Sequence, residues 1–406
     1  MTSRRQFLAS SVVTGVMSFG RTAPAVLQEA AAATNQERIL VVVEMAGGND
    51  GLNTVIPVQD DAYRKARPTL AIRPADAIRL EQDMALHPVM TGFADLLQQN
   101  QLAIVQGVGY PNPNRSHFES MDIWHTCQRK DEQRVDGWLG RYLESAAARH
   151  ASADPQAMHF GDDKQPFALM SRQVRVPSIG SLDEFRLVGN DSDQFATAVK
   201  QLATARRAPA NDLLGFVQSS TSSALEASER IEEAAMTYQP SAAYPDNRLS
   251  KKLQTVARLI NSGLNTRVYY VQINGFDTHA NQANAHTSLL RQVSGAVSTF
   301  ITDMVAHGHG DRVVCLCFSE FGRRVQENAS EGTDHGTAGP VFLAGAPVKA
   351  GLHGDRPDLT QLVDGDLRHT IDFRQVYASV LSGWLNSQQT QDTLKGQFAP
   401  LELFDA

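Results

Sequence analysis

The feature that most constrains the fold is a repeated alternation of short apolar runs with segments of helical spacing. Runs such as 39–43 and 313–318 are continuous, apolar and rich in β-branched residues, which is typical of strands that helices cover on both faces. Between such runs, residues 289–304 place their apolar side chains on one stripe of a helix. This alternation predicts an α/β protein built on a doubly wound, mostly parallel sheet.

The alternation also predicts where the elements lie. Strands are expected at 39–43, 102–105, 267–273, 313–318 and 341–343, and helices at 87–100, 117–125, 249–260, 289–304 and from 373 onward. Ser116 is expected to cap its helix in a capping box with Glu119, and Asp372 to cap the last helix. The stretch of about 146–246 breaks the pattern, being rich in Ala, Ser, Gln and Asp. We interpret it as a mainly helical insertion or cap on the core.

The first residues have the order of a twin-arginine signal peptide. Arg4 and Arg5 precede an uncharged, apolar and small stretch at 8–19, which is too short to anchor the chain in a membrane. Two Ala-x-Ala patterns follow, at 23–25 and 31–33, and the second is favoured as the cleavage site. The signal peptide is therefore predicted at 1–33 and the α/β domain at 34–406. Passage through the twin-arginine translocase predicts a periplasmic or secreted protein with no stable membrane anchor.

Net charge and cysteine content restrict the class of protein further. The net charge is −7, and removal of the basic leader makes the mature chain more acidic, which argues against non-specific nucleic-acid binding. Cys315 and Cys317 are two positions apart on a predicted strand, so they face the same way and are poorly placed to bridge each other. We predict that the three cysteines are buried thiols rather than disulfides.

Acidic, hydroxyl and imidazole side chains occupy the loops at the predicted strand ends. These groups are Asn49 and Asp50, Arg115 to His117, Asp277 and His279, Glu320 and Arg323, and Asp334 and His335, which precede the strand at 341–343. Ligands bind at the carboxyl edge of an open α/β sheet, where such loops gather. Carboxylates with imidazoles suit a divalent ion, so one or two ions of Zn, Mn, Mg or Ca are expected. The candidate ligands are Asp50, Asp277, His279, Glu320, Asp334 and His335. Nine further histidines, including His125, are expected to be surface or packing residues.

Five motifs, taken together and in order, carry a family resemblance. They lie at 44–53, 114–118, 275–279, 319–323 and 332–336. As a set they resemble domain-of-unknown-function family 1501, a twin-arginine-exported bacterial family within the alkaline phosphatase-like and sulfatase-like superfamily. The resemblance covers nearly the whole mature chain and implies a fold of alkaline phosphatase-like type.

The resemblance also implies roles for individual residues. In the superfamily's plan, Asp50 is the first-strand metal carboxylate, Ser116 the nucleophile, Asp277 and His279 ligands of one metal site, Glu320 the acid of an Asp-His pair, and His335 a late metal ligand. The sequence departs from that plan because Phe321 follows Glu320 and because His279 lies two residues after Asp277 rather than four. These departures leave room for a single ion. The chain has no Cys-x-Pro-x-Arg motif, which excludes a formylglycine sulfatase.

The sequence therefore predicts an exported, metal-dependent hydrolase of phosphate or sulfate esters, acting on a small molecule or a polymer. Ser116 or a metal-bound water would attack the ester, and Arg115 or Arg323 would clamp the anion. A non-enzymatic exported binding protein, with or without a structural metal, is the alternative. A mutase or transferase is a third hypothesis. Export argues against it, because phosphorylated metabolites are mainly cytoplasmic.

Overall fold

Most of the domain is described by the structure, which is a computed structural model. It describes residues 38–81, 83–147, 154–161, 164–180 and 238–405. The predicted signal peptide at 1–33 lies outside the described residues, and so does most of the predicted insertion. Export and the insertion's helical character therefore stay predictions.

The described elements alternate as the sequence predicts. In chain order the strands are β1 (Ile39–Ala46), β2 (Val55–Ile56), β3 (Ile78–Arg79), β4 (Ala85–Leu86), β5 (Leu102–Gly109), β6 (Ala157–Phe160), β7 (Ser178–Ile179), β8 (Val268–Asn274), β9 (Val313–Phe318), β10 (Gly339–Ala344), β11 (Gly351–His353), β12 (Leu362–Val363), β13 (Asp366–Leu367) and β14 (Ile371–Asp372). The helices are α1 (Asp61–Ala66), α2 (Thr91–Gln98), α3 (His117–Thr126), α4 (Trp138–Ala147), α5 (Arg248–Asn261), α6 (Gln282–Ala306), α7 (Phe373–Ser379) and α8 (Thr390–Leu394), with a π-helical turn at Val380–Trp384. The five predicted strands correspond to β1, β5, β8, β9 and β10.

One large sheet organises the domain. Its strand order is β11-β5-β10-β9-β1-β8-β6-β7, with β14 also beside β5. All described pairings in this sheet are parallel except those of β10, which runs antiparallel to both β9 and β5. The predicted class, a mostly parallel α/β sheet, is confirmed. Because β10 is reversed, its first residues lie at the edge where the parallel strands end.

Helices cover both faces of this sheet. In β1, Val41 and Val43 pack into a layer that contains α2, α5 and α6. Their neighbours Leu40 and Val42 pack into the opposite layer, which contains α3, α4, α7 and α8. Successive side chains of a strand point to opposite faces, so only a strand that is apolar throughout can sit between two such layers. The doubly wound arrangement is therefore confirmed.

Part of the predicted insertion belongs to the central sheet. Strands β6 and β7 lie within the range 146–246, yet β6 pairs in parallel with β8, and β7 continues the sheet beyond it. The four residues of β6 are buried. These strands could not be predicted from the sequence, because both are short and a stretch of different composition follows them.

One helix start and one helix cap differ from the prediction. The helix expected at 87–100 begins only at Thr91, because Pro88 disfavours helical backbone at His87 and the chain forms a turn from His87 to Met90. Ser116 is the N-cap residue of α3, but its hydroxyl makes no capping hydrogen bond, and Glu119 instead bonds to Arg134. The capping box predicted there is wrong. Asp372 does form a capping box with Gln375 at the start of α7, as predicted for that cap.

The cysteine prediction is confirmed. Cys127, Cys315 and Cys317 are all buried free thiols, and Cys315 and Cys317 share one layer of the core. Within the part of the chain that the structure describes, no helix has the length and hydropathy needed to span a membrane.

Candidate metal centre

Three imidazoles approach one carboxylate oxygen, Oδ1 of Asp277. The Nε2 atoms of His279, His335 and His117 lie 2.9, 3.1 and 3.3 Å from it. Asp277 and His279 follow β8, and His117 opens α3 after β5, so both loops leave the carboxyl edge of the sheet. His335 precedes β10 and reaches the same edge because that strand is antiparallel. We call these four residues the metal centre.

Each imidazole of the metal centre is held from its other side by a hydrogen-bond acceptor. Nδ1 of His117 lies 2.8 Å from a Glu320 carboxylate oxygen, and Nδ1 of His279 lies 3.2 Å from Asp334. Nδ1 of His335 lies 2.7 Å from the backbone carbonyl of Arg115. A carboxylate or a carbonyl can only accept, so this network assigns the proton of each ring to Nδ1. Each Nε2 lone pair then faces Asp277.

This arrangement fits a divalent cation. Without one, the Nε2 lone pairs would face an anionic oxygen, and two of them, on His279 and His335, are only 2.9 Å apart. Protonating all three rings would instead crowd three positive charges into one place. Nε2 of His117 is buried and has no hydrogen-bond partner among the described residues. Ligand atoms of His117, Asp277 and His335 lie within 4.8 Å of one another, close enough to share one ion.

The pKa shifts agree with these contacts. The hydrogen bond to Glu320 is the main reason that the pKa of His117 lies above its ordinary value, against the opposing effect of burial. Burial acts to raise the pKa of Asp277, but the hydrogen bond and the charge of Arg323 oppose it, and that pKa lies well below its ordinary range. Asp277 therefore stays ionised at any physiological pH, as a metal ligand must.

Arg323 holds the loops of the metal centre together. Its guanidinium, with 0% side-chain exposure, donates to Asp277 and to four backbone carbonyls, those of Gly47, Gly48, Phe276 and Thr333. The sequence predicted Arg323 as an anion clamp, and this placement corrects that prediction because no face of the guanidinium is left for a substrate. Gly47 is needed beside it, since a Cβ there would lie 2.4 Å from the backbone nitrogen of Asp277.

Arg115 and Ser116 lie on the loop that leads into α3. The Arg115 guanidinium donates to the buried carboxylate of Asp366, with Nε 2.9 Å from Oδ2, so its predicted role in clamping an anion is also not supported. Ser116 is exposed and its hydroxyl makes no capping bond. It nevertheless lies next to the metal centre, because the carbonyl of Arg115 before it orients His335, and the residue after it is His117.

A groove opens beside the metal centre. Its volume is about 850 Å³, and it lies between α3 and the segment 164–170. His117, Asp277 and Glu320 form one end of its lining, and Glu44, His125 and Gln272 lie in its wall as well. Another cavity, of about 680 Å³ around Gln106, contains none of the four residues of the metal centre. The groove is therefore the space in which a ligand could reach the metal centre.

The chain matches one protein family over residues 37–382, and that family is described as "Protein of unknown function (DUF1501)". The chain belongs to the DUF1501 family. The predicted resemblance of the five motifs to family 1501 is thereby confirmed. Among curated proteins no match to the chain is found.

Several solved structures are similar to this DUF1501 chain at low identity. The C-terminal periplasmic domain of EcEptC from Escherichia coli has a TM-score of 0.42 and 9% identity, covering 87% of this chain and 83% of that chain. PsFucS1 sulfatase from Pseudoalteromonas sp. has a TM-score of 0.41 and 9% identity, with coverage of 93% and 73%. Alkaline phosphatase from the Antarctic bacterium TAB5 has a TM-score of 0.36 and 11% identity, with coverage of 78% and 95%. Similarity of this degree assigns no activity to the chain.

Asp50 has a different partner from the one that the sequence predicted. In this DUF1501 chain its carboxylate forms a bidentate pair with Arg67, at 2.6 and 3.0 Å, and both side chains have 0% exposure. Burial acts to raise the pKa of Asp50, but the Arg67 charge and its hydrogen bonds outweigh burial and lower it. The structure does not bring Asp50 into the metal centre, because both carboxylate oxygens are already engaged.

The other predicted ligands divide into two groups. Asp277, His279 and His335 belong to the metal centre, whereas Glu320 and Asp334 bond to the Nδ1 atoms of His117 and His279. Carboxylates in that second position fix ring orientation and raise ligand basicity. His117 itself was missed as a ligand. The sequence signal for His117 was an imidazole in a strand-end loop. In that loop, however, a functional role had been predicted for Ser116, the residue before it.

The Asp50–Arg67 pair yields a stability prediction. We expect Asp50→Ala to lower the free energy of unfolding by about 3–5 kcal/mol, because it leaves the Arg67 guanidinium buried and unpaired. Urea denaturation measures this. Asp61→Ala, which removes the partner of Arg64 in an exposed pair, is the matched control and should change stability very little. Equal effects of the two substitutions would contradict the prediction, and metal content should be unchanged in both variants.

Proposed function

We propose that this protein is an exported, metal-dependent hydrolase of phosphate or sulfate esters. The observation that carries the proposal is the convergence of three imidazoles on Asp277, each fixed at Nδ1 by a separate acceptor. This network brings together three loops that adjoin different strands. Packing of the core alone does not require three imidazoles around one carboxylate oxygen. The ester class rests on the sequence resemblance, and export on the leader.

The residues of the metal centre would hold a single ion. Three imidazole nitrogens with one carboxylate oxygen favour Zn²⁺ or Mn²⁺ over the harder Mg²⁺ and Ca²⁺, which prefer oxygen ligands. When bound, such an ion supplies Lewis-acid chemistry that polarises the ester and stabilises developing negative charge. Among the described residues, His117, Asp277 and His335 form the one group whose ligand atoms lie close enough to share an ion, which supports one ion rather than two.

Ser116 is the proposed nucleophile. Its hydroxyl is not committed to capping α3, and its neighbours on both sides contact the metal centre. Backbone N–H groups at the start of α3, a helix of 10 residues, favour an anionic ester group at this point. The serine oxygen would lose its proton and bond to phosphorus or sulfur as the leaving-group oxygen departs and is protonated. A water would then cleave the serine ester and restore the hydroxyl. Direct attack by a water is the alternative.

The test begins with the purified mature protein. We expect elemental analysis to find about one Zn²⁺ or Mn²⁺ per chain, and removal by a chelator to lower the melting temperature, because binding of the ion is linked to folding. A screen of phosphate and sulfate monoesters should find hydrolysis that the chelator abolishes and added ion restores.

Two results would count against the proposal in different ways. If the protein holds no ion after gentle purification and its melting temperature does not change with added Zn²⁺ or Mn²⁺, the assignment of the four residues as a metal site is rejected. A protein that binds the ion but hydrolyses no ester in a broad screen would favour the alternative of an exported binding protein with a structural metal.

A further inference from the structure

The groove beside the metal centre has a definite direction. Five residues of α3 line it, namely His117, Phe118, Met121, Asp122 and His125. They recur at i, i+1, i+4, i+5 and i+8, so they form one face of the helix. From His117 to His125 the helix rises about 12 Å, which is long enough for a disaccharide. A substrate with its ester at the metal centre would therefore extend along α3 toward His125.

The far end of the groove is a buried polar cluster that neither the metal centre nor the proposed nucleophile uses. Glu44, which is 2% exposed, accepts hydrogen bonds from Tyr270, Gln272 and His125. Burial, with the Glu44 charge beside it, keeps the pKa of Tyr270 well above its ordinary value, so the phenol stays protonated and donates. The sequence interpreted His125 as a surface or packing residue, and the structure instead places it in this cluster.

These bonds determine what the far end offers to a ligand. His125 and Gln272 donate to Glu44 through Nε2, at 3.0 and 2.8 Å. Because each donates through that atom, Nδ1 of His125 and Oε1 of Gln272 are left as acceptors. Acceptors call for a ligand that donates hydrogen bonds. A purely apolar ligand would cover them without replacing their water, at a cost in affinity.

The charges and the rim restrict the ligand further. Beyond the metal centre and Glu320, the described lining carries two carboxylates, Glu44 and Asp122, against one lysine, Lys164. This balance disfavours a nucleotide or another polyanion. At the rim, Phe118 is 87% exposed and Met170 is 42% exposed, which is unusual for large apolar side chains and provides an aromatic surface directly beside His117. A neutral ligand with an apolar face and several hydroxyl groups satisfies all of these conditions.

We propose that the groove binds the sugar or polyol part of a sugar ester, with its ring against Phe118 and its far hydroxyl groups donating to His125 and Gln272. This inference rests on the proposed hydrolase and names its substrate class. The ester group would then lie at the metal centre and Ser116, while the sugar occupies the groove.

The test compares leaving groups and one exposed side chain. Wild-type protein should hydrolyse glucose 6-phosphate with a higher kcat/KM than phenyl phosphate, phosphocholine or adenosine diphosphate, or glucose 6-sulfate above phenyl sulfate if sulfates are the substrates. Phe118→Ala should lower kcat/KM for the glucose ester relative to the phenyl ester by about tenfold, mainly through KM, because a ring contact is lost. Val305→Ala, at a 44% exposed position on α6 outside the groove, is the control and should leave that ratio unchanged.

A second measurement separates this inference from the hydrolase itself. Saturation-transfer NMR should detect cellobiose bound to the metal-loaded wild-type protein and to Val305→Ala, and the signal should be lost in Phe118→Ala. Binding of cellobiose without hydrolysis of any ester would support the groove as a sugar-binding site and reject the proposed hydrolase activity. Hydrolysis with no sugar binding, or with a preference for phosphocholine or phenyl esters, would overturn the groove's assignment and keep the hydrolase.

Discussion

Replacing His335 by alanine is expected to release the bound ion and to lower kcat/KM for ester hydrolysis by about a thousandfold, the equivalent of several kcal/mol of lost charge stabilisation. His335 contributes one of the Nε2 atoms that face Asp277, and its Nδ1 is already held by the Arg115 carbonyl. No other described side chain stands ready to replace it at that position. Elemental analysis and steady-state kinetics on the same preparation measure both effects.

Two further variants make this prediction specific. Asp334→Asn should cost less, about 10–100-fold in metal affinity or activity, because Asp334 only orients the ring of His279. His353→Ala is the histidine control, since His353 lies on β11 and bonds to the Lys349 carbonyl. It should change neither metal content nor activity. If His335→Ala retained its ion and its activity, the metal centre would be misassigned.

The second large effect is expected at Ser116. Ser116→Ala should keep the fold, the ion and the melting temperature, yet lose about a thousandfold or more in kcat, because a nucleophile has no substitute within its own step. The structure makes alanine a clean replacement. Since the Ser116 hydroxyl makes no capping hydrogen bond to α3, its removal should not cost the roughly 1 kcal/mol that loss of a cap usually does.

The outcome at Ser116 also decides between the two proposed nucleophiles. Hydrolysis at near wild-type rates in Ser116→Ala would show that a water attacks the ester directly. A trapped phosphoryl or sulfuryl group on Ser116 in the wild-type protein, detected by mass spectrometry after rapid quenching, would support the serine. A lower melting temperature in the variant would instead point to a structural role for the hydroxyl.

Much of the fold could be predicted from the sequence because the relevant signals are local. A run such as 313–318, apolar at every position, is stable only between two covering layers, and β9 has the predicted bounds. Asp372 was predicted as the cap of α7 for the same reason, since a helix cap is completed within one turn. Where a local signal was incomplete, as for the short strands β6 and β7 beside a different composition, the prediction failed.

The residues of the metal centre could be predicted from local sequence signals only in part. The loop that follows β8 identified Asp277 and His279, because parallel strands must end at one edge. His335 was a candidate only because it lies in a loop next to a predicted strand. The sequence could not show that β10 is antiparallel, which is what brings His335 to that edge. Nor could it separate a carboxylate that faces the ion from one that orients a histidine, as Glu320 does for His117.

The sequence by itself determined the family, the doubly wound sheet and the edge at which the chemistry gathers. Only the tertiary structure decided which side chains at that edge are available. The carboxylate of Asp50 is paired with Arg67, 17 residues away in the chain, and is therefore not available to an ion. The guanidinium of Arg323 donates to backbone carbonyls of three loops and is therefore not available to a substrate. The physical reason is that a buried charge must be paired, and its partner is chosen by folding rather than by proximity in sequence. A strand-end position therefore identifies a candidate residue, and the long-range partner of that residue determines its role.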